Sequence, residues 1–384
     1  MRIFRQYQHL TDQGPHVVVL GNFDGVHCGH QVLLHTAIQQ AHIQSCMSLV
    51  MTFDPHPLRF FKGKQGPKAL YSAQDRSGLF LHMGIDRVLI QDFNQTFAQL
   101  TAWQFFDEVL CKALHAQTIV VGYDFAFAAR RAGKVTDLQK WGQEQGIHVI
   151  VIEAQKATHH QGMHKESLSS LTPSNQSYQS QVIPSNQVAP SNQVTPSNQV
   201  APSNQTTPNH QIHSSHQQPV YSSTWIRKLV QQGQMQQAYQ ALGRYYHVRG
   251  TVVEGYQRGR QLGFPTANLA LQSEICPAAG VYAGYMDWGI GPQKVVISIG
   301  SNPTFKGQHK LFEQQDLSFE VHILDQVHDL YDLSVVVWVV QYLRTPRKFD
   351  GIEALKKQIQ QDCEHTHTTL LNQIVIDWPL VDVQ

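Results

Sequence analysis

Short apolar runs alternate with longer amphipathic stretches through the first 152 residues. The runs at 16–20 (HVVVL), 48–53 (SLVMTF), 87–90 (RVLI), 118–122 (TIVVG) and 147–152 (IHVIVI) read as strands. Between them, 29–43 carries Leu33, Ala37 and Ala41 at four-residue spacing with Leu34 and Ile38 beside them, the pattern of a helix with one buried face. The stretches 72–84, which ends at a glycine, 101–114 and 134–145 read as further helices. Strand–helix alternation with apolar strands predicts an α/β domain built on a parallel sheet covered on both faces. Ligands of such sheets bind outside the carboxyl ends of the strands.

The pattern then changes. From 167 to 226 there is no Asp, Glu, Lys or Arg, and PSNQV(A/T) recurs with prolines at 184, 190, 196 and 202. Each repeat offers a single sizeable apolar residue (Val188, Val194 or Val200), too little to offset the entropy of ordering the chain. The segment therefore reads as a disordered polar insertion, and the histidines at 210, 213 and 216 as incidental to it. Two short helices follow at 225–232 and 234–242, broken at Gly233. Strand-like runs at 249–256, 280–288, 294–301, 317–324 and 333–343, separated by turn residues, predict a small antiparallel barrel. A last helix is expected over 351–362, with Asp350 and Glu353 as its capping box.

Composition narrows the chemistry. A formal net charge of +1 supplies no overall field for nucleic acid or anionic lipid, so any anion site must be local. The N-terminus has no apolar core of a signal peptide, and the longest apolar runs are too short to span a bilayer. Five scattered cysteines without a C-x-x-C pair fit reduced thiols in the cytoplasm and argue against a zinc site.

The stretch GNFDGVHCGH (21–30) stands where the first long strand ends and a helix begins. Gly21 and Gly25 permit tight turns and close backbone approach, and the helix starts near Gly29, where free N–H groups favour an anion. His27 and His30, three apart, face one side at that entrance. Two imidazoles over a helix N-terminus suit charge stabilisation during nucleotidyl transfer. Asn22 and Asp24 either orient the nucleotide or fix the turn. Ser223 and Thr224 precede a helix and are expected to cap it. Arg227 falls in that helix's first turn, where a cation opposes the dipole, so an anionic partner is expected. In the second half, Gly259 and Gly263 make a flexible loop, and Thr266 and Asn268 are hard oxygen ligands two apart, suited to Mg²⁺ held with ATP.

These residues resemble the H-x-G-H nucleotidyltransferases, and in particular the adenylyltransferase half of bacterial bifunctional riboflavin kinase/FAD synthetases. TFDPHP (52–57), VGYDFAFAARRAG (121–133) and SSTWIR (222–227) are similar to that family's motifs in the family's order, as are GRQLGFPTANL (259–269), GVYAG (280–284), IGSNPTF (299–305) and EVHILD (320–325). The resemblance spares only the insertion. It implies catalytic roles for His27, His30, Ser223, Thr224 and Arg227, and a nucleotide site at Gly21, Asn22, Phe23, Asp24, Gly25 and Gly29. It further implies flavin contacts at Asp54, Pro55, Asp124 and Arg344, kinase ATP contacts at Gly259, Arg260, Gly263 and Pro265, and Mg²⁺ at Thr266 and Asn268. The domains it implies are an adenylyltransferase over 1–156, the insertion over 157–218, its helical end over 219–244 and a riboflavin kinase barrel over 245–384. Substrates and products would be ATP, riboflavin, FMN and FAD, with no nucleic acid or membrane partner.

The family pattern is broken in places. Its glycine after D-F-x-F is Ala128, and D-L-Y-G reads DLYD (329–332). The segment 344–349, RTPRKF, lacks the carboxylate expected there as general base for riboflavin. The alternative is therefore an adenylyltransferase alone, with a barrel that only binds flavin.

Overall fold

The computed structural model describes residues 2–10, 14–156, 219–255, 259, 262–301, 317–325 and 328–371. The polar insertion, the histidines within it, Arg260 and the NPTF tetrad (302–305) lie outside the described residues.

The N-terminal half carries a six-stranded, wholly parallel sheet in the order β1-β4-β3-β2-β5-β8. Its strands are β1 (Ile3–Arg5), β2 (His16–Leu20), β3 (Met47–Asp54), β4 (Arg87–Asp92), β5 (Ala116–Gly122) and β8 (His148–Ile152). The central strand β2 is buried along its whole length because both faces are covered. Val17 and Val19 pack with Leu34, Ala37 and Ala41 of α1 (Cys28–Ile43) and with Leu79 and Phe80 of α3 (Ala73–His82), beyond the short α2 (Pro57–Lys62). Val18 and Leu20 pack on the other face against Phe105, Phe106, Val109 and Leu110. Those four follow α4 (Gln95–Ala98) and α5 (Ala102–Gln104) and belong to Phe105–Ala113, which winds as a π-helix. A two-stranded hairpin, β6 (Ala126–Phe127) with β7 (Gly133–Lys134), leads into α6 (Val135–Gln145).

The helix ends are set locally. The side chain of Ser72 caps α3, Thr101 and Gln104 form a reciprocal capping box on α5, and left-handed Gly146 ends α6. The edge strand β1 was not expected; with three residues it is too short to show a period.

After α7 (Ser223–Gln231) and α8 (Met235–Leu242), a closed antiparallel barrel runs in the order β10-β13-β12-β11-β14-β9. Its strands are β9 (Tyr246–Val253), β10 (Ala267–Leu271), β11 (Gly280–Asp287), β12 (Gln293–Ser301), β13 (Leu317–Ile323) and β14 (Ser334–Arg344). Alternate residues such as Leu269, Leu271, Ile297, Phe319 and Val321 fill its interior. Sheet and barrel belong to one compact unit.

Two expectations about the ends of helices fail. The last helix, α9 (Ile352–Leu370), runs well past 362, and no side chain caps it. Its N-cap is Gly351 at φ 98°, so Asp350 stands one residue too early for a capping box with Glu353, which instead pairs with Lys356 at 3.4 Å. Ser223 and Thr224 do not cap α7 either. Ser222 keeps extended backbone and accepts the Trp225 N–H at 3.3 Å, which moves the cap one position upstream.

Candidate active site

The loops that follow β2, β3, β5 and β8 leave the carboxyl edge of the sheet and enclose a cavity of about 1080 Å³. Gly21 to Asp24, His27, Gly29 and His30 line one wall, with Ser223, Thr224 and Arg227 of α7 beside them. Asp124 lines the rim, exposed. A further wall is aromatic. Phe53, Phe61, Phe93, Phe97, Phe125 and Phe127 line it, with Phe53–Phe93 and Phe61–Phe93 edge-to-face at 5.9 and 5.8 Å and Phe125–Phe127 stacked at 5.7 Å. Lys62, Arg130 and Arg131 add positive charge at the same cavity. The volume slightly exceeds the roughly 300–1,000 Å³ usual for a single-ligand pocket.

The two histidines meet as the spacing requires. Their rings stack with centroids 3.6 Å apart and planes 17° from parallel. His27 is the N-cap of α1, and its Nδ1 accepts the His30 N–H at 3.3 Å. A neutral His27 ring therefore carries its proton on Nε2 as a donor. Burial, and then the charge of Arg244, push the His27 pKa down to about 3. Burial, His27, Arg76 and Arg244 hold His30 well below the usual histidine value. Both imidazoles are thus neutral donors at pH 7. The His30 Nδ1 is buried with no hydrogen-bond partner among the described residues, as expected of a group that meets a ligand.

The loop 21–26 is fixed from several directions. A Cβ on Gly21 would fall 2.9 Å from the Phe23 ring, so the close approach there requires glycine. The Asn22 carbonyl accepts Arg76 Nη1 at 2.6 Å and Thr52 Oγ1 at 3.1 Å. Asp24, only 4% exposed, accepts the Leu70 N–H at 2.9 Å and forms an ion pair with Arg227. The anionic partner expected for Arg227 is therefore supplied within the chain by Asp24, and its Nε donates to the Lys68 carbonyl at 2.7 Å. Ser223 Oγ donates to the Asp24 carbonyl at 2.7 Å, so Ser223 ties α7 to the loop. Sequence reasoning missed Arg76 and Arg244. Both are buried arginines that bind loop carbonyls, 54 and 219 residues from their partners, and no spacing signals such contacts.

Asp54 and Pro55 do not themselves line this cavity, although their neighbours Phe53 and His56 do. Asp54 lies 3.9 Å from Arg5, and its carbonyl accepts the Phe93 N–H at 2.9 Å. Arg344, expected to meet flavin in the barrel half, ends β14. Its guanidinium makes a forked contact with the buried Asp362 of α9, Nε at 2.8 Å and Nη2 at 2.7 Å, while Asp362 also accepts from Gln358, which Arg347 contacts.

On the barrel, the segment 262–268 leads into β10. Left-handed Gly263 (φ 89°) turns the chain, the Phe264 N–H donates to Gly259, and the Pro265 carbonyl lies 2.8 Å from His322 Nδ1. Thr266 directly precedes β10 and Asn268 lies within it, packed against Gly255. The β10–β13 register sets Glu320 directly opposite Asn268 on the barrel's outer face, since Leu269, Phe319 and Val321 point inward. A carboxylate absent from 344–349 is thus present across the strand pair. Glu320 opens the EVHILD motif, but only the register shows what it faces.

Two family models match the chain, FAD synthetase over residues 9–166 and riboflavin kinase over 242–370. The bifunctional riboflavin kinase/FMN adenylyltransferase of Listeria monocytogenes serovar 1/2a is 30% identical over 352 residues, covering 91% of this chain and 91% of its own. The protein of the same description from Escherichia coli strain K12 is 30% identical over 366 residues, covering 94% and 96%. A solved chain described as a macrolide-efflux protein from Streptococcus pneumoniae superposes with a TM-score of 0.72 at 26% identity, covering 96% of this chain and 99% of that one. Among the described residues no helix is long and apolar enough to cross a membrane.

Proposed function

The chain belongs to the family of bifunctional riboflavin kinase/FMN adenylyltransferases, and from that premise we propose how its residues divide the two reactions. It is an enzyme of FAD biosynthesis that phosphorylates riboflavin to FMN and adenylylates FMN to FAD. AMP transfer belongs to the sheet domain (1–156 with 219–244) and riboflavin phosphorylation to the barrel (245–384).

In the first site, ATP lies along Gly21–Gly29 with its α-phosphate over the start of α1. A phosphate oxygen of FMN attacks that phosphorus, the bond to the β-phosphate oxygen breaks, and pyrophosphate leaves with the electron pair. No proton need move. The task is placement and charge stabilisation, which the His27 Nε2–H, His30 and the first-turn amides supply as preorganised donors. The isoalloxazine lies against the aromatic wall rather than at Asp54 and Pro55, and Asp124, Arg130 and Arg131 border it. Arg227 serves the nucleotide through Asp24, whose position it fixes. The observation that carries this reading is the stacked histidine pair at the entrance of a 16-residue helix, inside a cavity large enough for two substrates.

In the barrel, Thr266 and Asn268 are neutral oxygen donors whose chemistry fits Mg²⁺ shared with ATP phosphates. Bound there, Mg²⁺ would neutralise charge on those phosphates. Gly259, Gly263 and Pro265 adjoin these donors and would contact the nucleotide. Glu320 stands across from Asn268 as the base that takes the riboflavin hydroxyl proton while that oxygen attacks the γ-phosphorus and ADP departs. Arg344, held by Asp362, orders the strand end instead of touching flavin.

The test is to incubate the protein with Mg-ATP and either riboflavin or FMN and resolve the flavins by chromatography. Riboflavin should give FMN and then FAD, and FMN should give FAD with equimolar pyrophosphate. FAD from FMN with no FMN from riboflavin would overturn the barrel assignment.

A further inference from the structure

The turn that carries His27 is strained, and the side chain that grips it lies far along the chain. Gly25 has φ 81° and Val26 has φ 42°. The left-handed region is costly for a β-branched residue, so this conformation persists only where the surroundings impose it. Arg244 supplies that restraint. It lies between α8 and β9, where the chain enters the barrel, and is 4% exposed. Its Nη1 donates to the Val26 carbonyl at 2.9 Å and to the Leu242 carbonyl at 2.9 Å, and its Nη2 donates to the Gly25 carbonyl. The guanidinium carbon sits 5.2 Å from the centroid of the Tyr71 ring. Gln31 Nε2 donates to the same two carbonyls, Val26 at 3.0 Å and Leu242 at 2.7 Å. The next residue after this clamp is His27, whose Nδ1 must receive the His30 N–H for the two rings to stack.

We propose that Arg244 is a positioning residue for AMP transfer: by binding the Gly25 and Val26 carbonyls it holds the turn that presents His27 and His30 to the α-phosphate. It does not line the cavity. The proposal rests on the reading of the two histidines given above. Electrostatics provides a second handle. The charged groups around the imidazoles are Arg76 of α3 and Arg244 of the α8–β9 connection, with the Cys28 thiol close to Arg244. Both guanidinium groups disfavour a protonated histidine. Lysine at 244 would keep the charge but, as a point ammonium, could not span three carbonyls as a fork does. Methionine would remove both.

The experiment measures FMN adenylylation and riboflavin phosphorylation across pH for the full-length wild type, Arg244→Lys and Arg244→Met, with His30→Ala alongside. For Arg244→Met, adenylylation kcat should fall roughly 10²-fold, the scale of an ångström-sized misplacement. Its acidic limb should also move to higher pH, because the histidines then protonate more readily. Arg244→Lys should lose about tenfold with the limb in place. Riboflavin phosphorylation should stay within about twofold in both. Wild-type adenylylation in Arg244→Met, or loss of both reactions together, would overturn the proposal. If Arg244→Met does not fold, Arg244→Lys decides: a loss confined to adenylylation supports the clamp, and an unchanged rate sinks it. His30→Ala keeps the two layers apart, since FAD formation by that variant would remove the histidine reading whatever Arg244 does.

Discussion

Replacing His27 with asparagine separates the two things this residue does. Asparagine is a good N-cap and can accept the His30 N–H in place of Nδ1, so α1 keeps its cap. What disappears is the Nε2–H and the titration. In the folded protein His27 is held neutral with a pKa of about 3, whereas an unfolded histidine titrates near 6.5. Between those values the unfolded chain binds the extra proton, so stability falls as pH is lowered through that window. One proton per molecule corresponds to about 1.4 kcal/mol per pH unit. From about pH 6 to about pH 4.5 the wild type should therefore lose about 2 kcal/mol more than His27→Asn. Urea unfolding of both proteins at several pH values, without substrates, measures this directly. The two stability curves should converge on acidification from neutral pH or cross. Parallel curves would show that His27 is already protonated or exposed in the folded state, and the argument that neutral imidazoles serve as donors would fail. In the adenylylation assay the same variant should lose about 10²–10³-fold in kcat, the usual cost of one transition-state donor.

Other consequences can be checked separately. Asp24→Asn leaves Arg227 without its buried counter-charge and should cost about 3 kcal/mol in urea unfolding. Ala128 has φ 64° and ψ −175°, a conformation reserved almost wholly for glycine, so Ala128→Gly should raise the melting temperature, by the equivalent of about 1 kcal/mol. Glu320→Gln should slow riboflavin phosphorylation by about 10²–10⁴-fold and leave adenylylation of supplied FMN untouched.

The sheet and barrel were legible because each is written in local periodicity. Val17 to Leu20 is an uninterrupted apolar run, and the barrel strands are short strand-like runs set apart by turn residues. The histidine pair was legible because a helix entrance fixes what residues 27 and 30 can do. The restraints on that pair were not. Arg76, Arg244 and Asp24–Arg227 act through contacts between distant segments, and each residue alone looks like an ordinary charge. The carboxylate proposed as the kinase base was hidden for a related reason. A search along 344–349 follows the chain, whereas the outer barrel face pairs Glu320 with Asn268 across 52 residues. Cap positions slipped by one at Ser222 and Gly351, where neighbouring residues compete for the same role.

The most direct test is the flavin product of His30→Ala given riboflavin and Mg-ATP. The account predicts that FMN accumulates at close to the wild-type rate while FAD is absent. FAD at wild-type levels, or loss of both products from a folded variant, would contradict it.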